Sequence, residues 1–189
     1  MRLGYTIDTS VSPLSDWTTY GGLDYRHHSL EPFVYRLDGS GPDGGRSLLE
    51  VPATIDFLQR RGRLARPAYW SIARLPLGGR VLAVLDRTGL LNRVALSPET
   101  HDAAHMIALI RALLARGVRV FNLFFHSPSL LPGCSPFVRT EADATDFLAR
   151  IDEVLAFARS AGISFATISE LSAQDAAARS TVTLHAQPA

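Results

Sequence analysis

The strongest candidate for a catalytic side chain in this sequence is His126, which directly follows the apolar run from Val118 to Phe125. We interpret this run as a buried strand, which places the histidine at the strand's C-terminal end. In parallel α/β folds, active sites are built at that end of the strands. The alternative is a histidine hydrogen-bonded to a nearby carbonyl group, and position alone leaves both interpretations open.

Two further groups of reactive residue types lie in the second half of the chain. His101 and His105 have the His-x-x-x-His spacing, which places two imidazoles on one face of a helix. We interpret them as solvated or capping side chains rather than as metal ligands. Cys134 follows His126 closely and could act as a nucleophile with the histidine as its base. An unreactive loop cysteine is the preferred interpretation.

Acidic and basic side chains of the first half are weaker candidates. Glu50 lies in an apolar strand, and Glu170 follows another, so we expect both carboxylates to be structural hydrogen-bond acceptors. His27 and His28 follow Asp24 in a glycine-rich loop. We take His28 as a candidate substrate contact, with an exposed loop residue as the alternative.

Composition excludes several classes of protein. Of the 189 residues, 47% are hydrophobic and 20% are charged, which predicts one folded domain with a substantial core. The net charge of +1 gives no broad footprint for nucleic acid or an anionic membrane, and the arginines are scattered. A single cysteine excludes an internal disulfide and slightly favours the cytoplasm, leaving the location open. We find no signal peptide and no run of roughly 18 apolar residues that could span a bilayer.

Hydrophobic periodicity predicts strands and helices in alternation. The predicted strands are residues 3–8, 48–55, 118–125 and 163–168, and a long loop covers residues 12–46. The predicted helices lie near 67–75 and 79–87, from Ser97 to Gly117, and from Thr140 to Gly162, with another starting at Ser169. Thr140 with Asp143 three residues later forms a capping-box pattern. This order is typical of a parallel α/β sheet or barrel.

Four segments of the chain resemble the polysaccharide deacetylase family of carbohydrate esterases, which includes chitooligosaccharide and peptidoglycan deacetylases. The segment Phe125-His126-Ser127-Pro128-Ser129 resembles the family's apolar-x-His motif. The other three are Leu3–Pro13, Leu49–Thr54 and the closing strand Gly162–Leu171. The resemblance runs from residue 3 to about residue 172.

The resemblance implies an α/β fold that is the C-terminal part of a distorted (β/α) barrel of the polysaccharide deacetylase type. Residues 1–175 would form this partial domain, and residues 176–189 a C-terminal tail. The implied activity is metal-dependent hydrolysis of N-acetyl or O-acetyl groups on a polysaccharide or oligosaccharide. In the family a divalent metal, usually zinc, polarises the acetyl carbonyl and activates water.

By the same resemblance, His126 is the general acid that protonates the departing amine, and Phe124 forms part of the apolar wall of the acetyl pocket. Asp8 and Trp17 fall where family members place groups that orient the catalytic histidine. His28 falls where a related branch carries residues that cover the substrate.

The family's metal site is expected to lie outside these residues, since its paired aspartates and its His-x-x-x-His motif come earlier than the segments matched here. We therefore expect the chain by itself to bind no metal and to be inactive. A shortened deacetylase is preferred over a non-catalytic half-barrel that binds carbohydrate or a protein partner. A third and weaker alternative is a hydrolase that uses Cys134 or Ser127 with His126, but the sequence has no G-x-S-x-G elbow to support it. An unpaired sheet edge would favour self-association.

Overall fold

The computed structural model describes residues 5–37, 46–59, 62–171 and 181–183. The chain divides into two compact units, one formed by Met1–Ala53 with Phe165–Ala189 and the other by Thr54–Ser164. Each unit has its own β-sheet. Below, we call them the first unit and the second unit.

The first unit is built on a four-stranded mixed sheet in the order β1-β3-β2-β6. Its strands are β1 (Ile7–Asp8), β2 (Phe33–Leu37), β3 (Arg46–Glu50) and β6 (Thr181–Thr183). The β1–β3 and β2–β6 pairs are parallel, whereas β2 and β3 are antiparallel. Because β6 lies within residues 176–189, part of the predicted tail is a strand of this sheet.

The second unit combines a short sheet with four helices. Strands β4 (Ile55–Phe57) and β5 (Arg93–Ala95) pair in antiparallel register. The helices are α1 (Gly62–Ala73), α2 (Gly78–Arg87), α3 (Ala103–Leu114) and α4 (Glu141–Ser160). Apolar side chains of β4, α3 and α4 form the core, and Phe57, Met106, Leu109, Leu113, Phe147 and Val154 are all buried. Burial of such side chains is the main favourable contribution to folding.

The end of α3 is tied to β4 by Arg116. Its Nε donates to the carbonyl of Ala112 at 3.1 Å, and its two terminal nitrogens reach Asp56 Oδ2 at 3.0 Å and the Phe57 carbonyl at 2.8 Å. The guanidinium group therefore joins the last turn of a helix to a carboxylate and to the backbone of a strand. This contact holds α3 against the β4–β5 sheet.

Sequence patterns located most of the helices correctly. Helices α1 and α2 lie where two short helices were predicted, and α4 begins at the predicted capping box of Thr140 and Asp143. The predicted start of α3 at Ser97 is wrong, because the helix begins at Ala103 with Asp102 as its N-cap. The Asp102 carboxylate accepts the His105 backbone amide at 2.8 Å, which is the contact that a helix start needs.

Several strand predictions need correction. Residues 12–46 contain β2 as well as loop, and the predicted strand 48–55 is divided between β3 and β4. Neither the run 118–125 nor residues 163–167 forms a ladder within the described part of the chain. Where a helix was predicted to start at Ser169, the structure has a 3₁₀ turn, Ile168–Glu170. The rest of that prediction falls on residues 172–180, which lie outside the described residues.

Residues 118–125 are nevertheless attached to the rest of the second unit by isolated hydrogen bonds. Thr54 Oγ1 accepts the Asn122 amide at 2.7 Å, and the Asn122 carbonyl accepts the Thr54 amide at 3.3 Å. The Phe124 amide donates to the Leu96 carbonyl at 3.2 Å. The apolar run therefore lies beside the ends of β4 and β5 without forming a ladder with either strand.

The described residues do not close into a barrel, and their two sheets are the ones given above. The distorted (β/α) barrel therefore stays a prediction. Among the helices that the structure describes, none combines the length and the apolar character needed to cross a bilayer.

The turn between α1 and α2 requires a glycine at position 78. A Cβ atom on Gly78 would lie 2.0 Å from the carbonyl oxygen of Ile72, which belongs to the backbone and cannot move as a side chain can. Gly78→Ala is therefore expected to lower the free energy of unfolding of the second unit by about 2 kcal/mol. Denaturant unfolding would measure the change.

Gly79→Ala is the matched control, since nothing lies within 4 Å of a Cβ at that position. Alanine also favours a helix more than glycine does, so this control should be neutral or slightly stabilising. If the Gly78 variant and the unsubstituted protein had equal unfolding midpoints, the turn would not require a residue without a Cβ atom beside the Ile72 carbonyl.

Candidate functional site

The candidate site is formed by His126 and by Glu99, a residue 27 positions earlier in the chain. His126 ends the extended run 118–125 and immediately precedes a 3₁₀ turn, Ser127–Leu130. Glu99 lies in the turn between β5 and α3, where the Thr100 and His101 amides both donate to the Ser97 carbonyl. The turn at Ser97, mistaken for a helix start in the sequence, is what brings the Glu99 carboxylate to the histidine.

Glu99 holds both the backbone and the ring of His126. Its Oε1 accepts the His126 backbone amide at 2.9 Å, and its Oε2 lies 2.8 Å from the ring nitrogen Nδ1. A carboxylate can only accept a hydrogen bond, so Nδ1 carries the proton. Nε2 is the ring nitrogen that Glu99 does not contact. The Glu99 side chain is 2% exposed, whereas that of His126 is 74% exposed. The buried acid therefore orients an imidazole that faces solvent.

Two serines complete the surroundings of the carboxylate. Ser129 is fully buried, and its hydroxyl donates to Glu99 Oε1 at 2.5 Å. Ser135 Oγ lies 3.0 Å from Ser129 Oγ and accepts the backbone amide of Val138 at 3.2 Å. This chain of contacts fixes the loop from His126 to Val138 around the carboxylate.

The hydrogen bonds determine the charge of Glu99. Burial acts to raise its pKa, but donation from the Ser129 hydroxyl, from the His126 amide and from the His126 ring outweighs burial and lowers the pKa of this carboxyl below its ordinary value. Glu99 is therefore ionised at neutral pH. An ionised carboxylate that accepts from Nδ1 orients the ring and leaves Nε2, the other ring nitrogen, available to a substrate.

Phe124, the predicted wall of an acetyl pocket, lies in the same unit as His126. Its side chain is half-buried, and the adjacent Phe125 packs edge-on against Phe147 of α4, with ring centroids 5.4 Å apart. The two aromatic residues thus give the extended run an apolar character next to the histidine.

Asp8, Trp17 and His28, the other predicted site residues, belong to the first unit. The two carboxylate oxygens of Asp8 accept the Thr9 amide and the Ser10 hydroxyl, each at 2.8 Å. The exposed Trp17 ring lies 6.3 Å from that of Tyr20.

His28 is half-buried, and burial lowers the pKa of its imidazole. The ring packs edge-on against Tyr25 at 5.2 Å and lies 6.2 Å from the ring of Phe33. These contacts tie the histidine to aromatic neighbours in the first unit, and the predicted contact with substrate stays a prediction.

His101 and His105 have local partners. His105 Nδ1 lies 2.8 Å from Asp102 Oδ1, and His101 Nδ1 lies 2.9 Å from Thr100 Oγ1. Both side chains therefore contact the turn and the helix start, and their interpretation as solvated or capping histidines stays a prediction. Within the described ranges, no three His, Cys, Asp or Glu side chains are grouped so that they could share a metal ion.

Cys134 is exposed, and among the described residues its Sγ makes no hydrogen bond to His126. Nδ1 of the histidine is already occupied by Glu99. The geometry therefore gives no support to a cysteine nucleophile, and the unreactive loop cysteine remains the preferred interpretation.

A second buried carboxyl group, that of Glu50, lies in the first unit. Its Oε1 accepts the Val11 amide at 2.9 Å, and among the described residues Oε2 has no hydrogen-bond partner. Burial, with a smaller contribution from the charge of Asp8, raises its pKa to about 7 against the opposing bond from Val11. The predicted structural acceptor is therefore present, and it is also a group that titrates near neutrality.

Glu99 is the residue of the candidate site that the sequence pattern did not reveal. An acidic side chain just after a short apolar strand was the available signal, and it was obscured by the Ser97-Pro98 pair, which is typical of a helix start. Comparison of the chain with protein-family models, with curated proteins and with solved structures found no match.

Proposed function

We propose that the chain carries the general acid of a polysaccharide deacetylase, within an α/β fold that is the C-terminal part of a distorted (β/α) barrel. The reaction would be hydrolysis of acetyl groups from a polysaccharide or oligosaccharide when the full domain is present. The observation that supports this function is the exposed imidazole of His126, oriented through Nδ1 by the buried and ionised Glu99. The motifs that resemble the family supply the substrate class.

The proposed step is a single proton transfer. Addition of water to the acetyl carbonyl gives a tetrahedral intermediate, whose carbon–nitrogen bond then breaks to give acetate and a sugar amine. The departing nitrogen needs a proton. His126 would take up that proton on Nε2 from solvent and donate it to the nitrogen, while Glu99 stays ionised and accepts from Nδ1. A general acid of this kind contributes about 10²–10⁴ in rate.

In the family, zinc would polarise the carbonyl and activate the water. A catalytic zinc site uses three protein ligands and an open position. The described residues do not fit such a site, because they bring no three metal-ligating side chains together. We therefore assign to these residues the proton transfer alone.

His126→Gln tests the proposal. We expect acetate release from acetylated chitooligosaccharides, measured on the protein as its own cell produces it and with zinc supplied, to fall at least about 100-fold. The loss should be in kcat rather than KM, since the proton is needed only in the transition state.

His27→Gln is the matched control, since it removes an exposed histidine of the first unit and should leave the rate unchanged. Full activity of the His126 variant would contradict the assignment of the general acid.

A non-catalytic carbohydrate-binding function is the alternative, and the exposed Trp17 and Tyr20 rings favour it. Flat aromatic faces in solvent can stack on sugar rings. If the protein releases no acetate but binds oligosaccharides in calorimetry, and Trp17→Ala removes that binding, this alternative replaces the deacetylase.

A further inference from the structure

The turn between α1 and α2 exposes a small apolar surface. Leu75, Pro76 and Leu77, which we call the tip, connect the two helices, and the leucines are 59% and 66% exposed. Val81 and Val84 continue this surface along α2, since they lie four and seven residues after Leu77, and both are exposed. Leu82 and Leu85, on the other side of α2, are half-buried. The helix thus has apolar residues both towards its own unit and towards solvent.

The turn holds the tip in one defined conformation. The Leu75 amide donates to the Ile72 carbonyl at 3.0 Å, and the Gly78 amide donates to the Leu75 carbonyl at 2.9 Å. Leu77 has a φ of 64°, in the left-handed region that a leucine rarely adopts. A strained backbone at an exposed leucine is an observation that points to a function for that side chain.

Positive charge accompanies the tip. Residues 64–90 contain four arginines (Arg66, Arg74, Arg80 and Arg87) and one acidic residue, Asp86, which gives a net charge of +3. The whole chain has a net charge of only +1, so the other residues together are negative. The total charge is nearly balanced, but positive charge is concentrated in residues 64–90.

The arginines closest to the tip are free to meet an anion. Arg74, Arg80 and Arg87 are exposed, and no carboxylate of the described residues is within ion-pair distance of them. Asp86 lies on the side of α2 opposite Leu77, and its Oδ1 accepts the Asn92 side-chain amide at 2.9 Å. Apolar and cationic side chains thus share one surface, without an acidic group among them.

We propose that the tip and its flanking arginines bind the surface of an anionic phospholipid membrane. The leucines would enter the boundary between headgroups and acyl chains, and the arginines would contact the lipid phosphates, as in other interfacial amphipathic segments. A folded protein partner is a poorer fit, since a stable protein interface needs about 800 Å² on each side and the tip is a three-residue turn. A lipid surface requires no matching groove.

The test is co-sedimentation of the full chain with vesicles. We expect binding to vesicles of phosphatidylcholine mixed with phosphatidylglycerol, little binding to phosphatidylcholine alone, and weaker binding as salt is raised. Arg74→Gln with Arg80→Gln should reduce the partition coefficient by about 25-fold, from about fivefold for each arginine.

Leu77→Asn separates binding from folding. Asparagine accepts a positive φ more readily than leucine, so this variant should fold at least as well as the unsubstituted chain while binding the anionic vesicles about tenfold more weakly. Leu148→Gln, which changes an exposed leucine on α4, is the matched control and should bind normally.

Equal binding to both kinds of vesicle, or unchanged binding by the Leu77 and arginine variants, would overturn the proposal. The proposal would also be overturned if the chain bound neither kind of vesicle, and if light scattering showed that Leu77→Asn converts a dimer into a monomer. The tip would then be a contact between two copies.

Discussion

Glu99→Ala is expected to lower the free energy of unfolding of the second unit by about 3 kcal/mol. The carboxylate accepts from the buried Ser129 hydroxyl and from both the backbone and the ring of His126. Alanine would remove the charged acceptor from all three donors, and the buried Ser129 hydroxyl would keep only the neutral oxygen of Ser135. Denaturant unfolding would measure the change, and the His126 ring should become mobile in NMR relaxation.

Two variants serve as controls for Glu99. Glu99→Gln keeps one acceptor atom and should lie between the alanine variant and the unsubstituted protein. Glu153→Ala removes an exposed carboxylate from α4 and should change stability by no more than about 0.5 kcal/mol. If Glu99→Ala were as mild as Glu153→Ala, the carboxylate would not organise the loop.

The contribution of Glu99 should also depend on pH. Its pKa is lowered in the folded protein, so the stabilisation is present above the pKa of the unfolded chain and is lost as pH falls through the folded value. The difference in stability between the unsubstituted protein and Glu99→Gln should therefore shrink on acidification.

The second large effect concerns Glu50 and has the opposite sign. Its pKa of about 7 lies above the ordinary value of 4.5, so the folded first unit retains a proton that the unfolded chain releases. Stability is greatest below the ordinary value and declines as pH rises, until the cost reaches about 3 kcal/mol above the folded pKa. Glu50→Gln has no such titration, so it should become progressively more stable than the unsubstituted protein between about pH 5 and pH 8.

Taking the difference between the two proteins at each pH removes the contribution of groups common to both. His28 is such a group, since burial lowers the pKa of its imidazole. Glu31→Gln is the matched control, since it removes another carboxylate of the same unit and leaves Glu50 in place. A constant difference for Glu50→Gln across the range would mean that the buried carboxyl group does not change its charge.

Local signals explain what the sequence predicted correctly. Helix α4 has its own capping box at Thr140 and ends before Gly162, which adopts a φ of 74°. Both signals act within a few residues, so the pattern is sufficient to locate the helix. His126 was singled out for the same reason, because the apolar run directly before it is visible in the sequence.

Contacts between distant residues explain what was missed. An apolar run indicates extended backbone but does not identify a partner strand. Residues 118–125 were therefore predicted as a strand, although their bonds to Thr54 and Leu96 form no ladder within the described part of the chain. Glu99 was missed because its role depends on a residue 27 positions away. Ser97-Pro98 has the local pattern of a helix start, whereas Asp102 makes the actual capping bond.

Arg116 has a consequence for which substitutions this fold tolerates. Three of its donors point in fixed directions to a helix carbonyl, a carboxylate and a strand carbonyl. A lysine would bring the same charge but only one nitrogen, without the planar geometry that reaches all three acceptors together. A lysine at this position would keep the charge but lose the contacts. Sequences that share the α3–β4 contact should therefore have arginine here and not lysine.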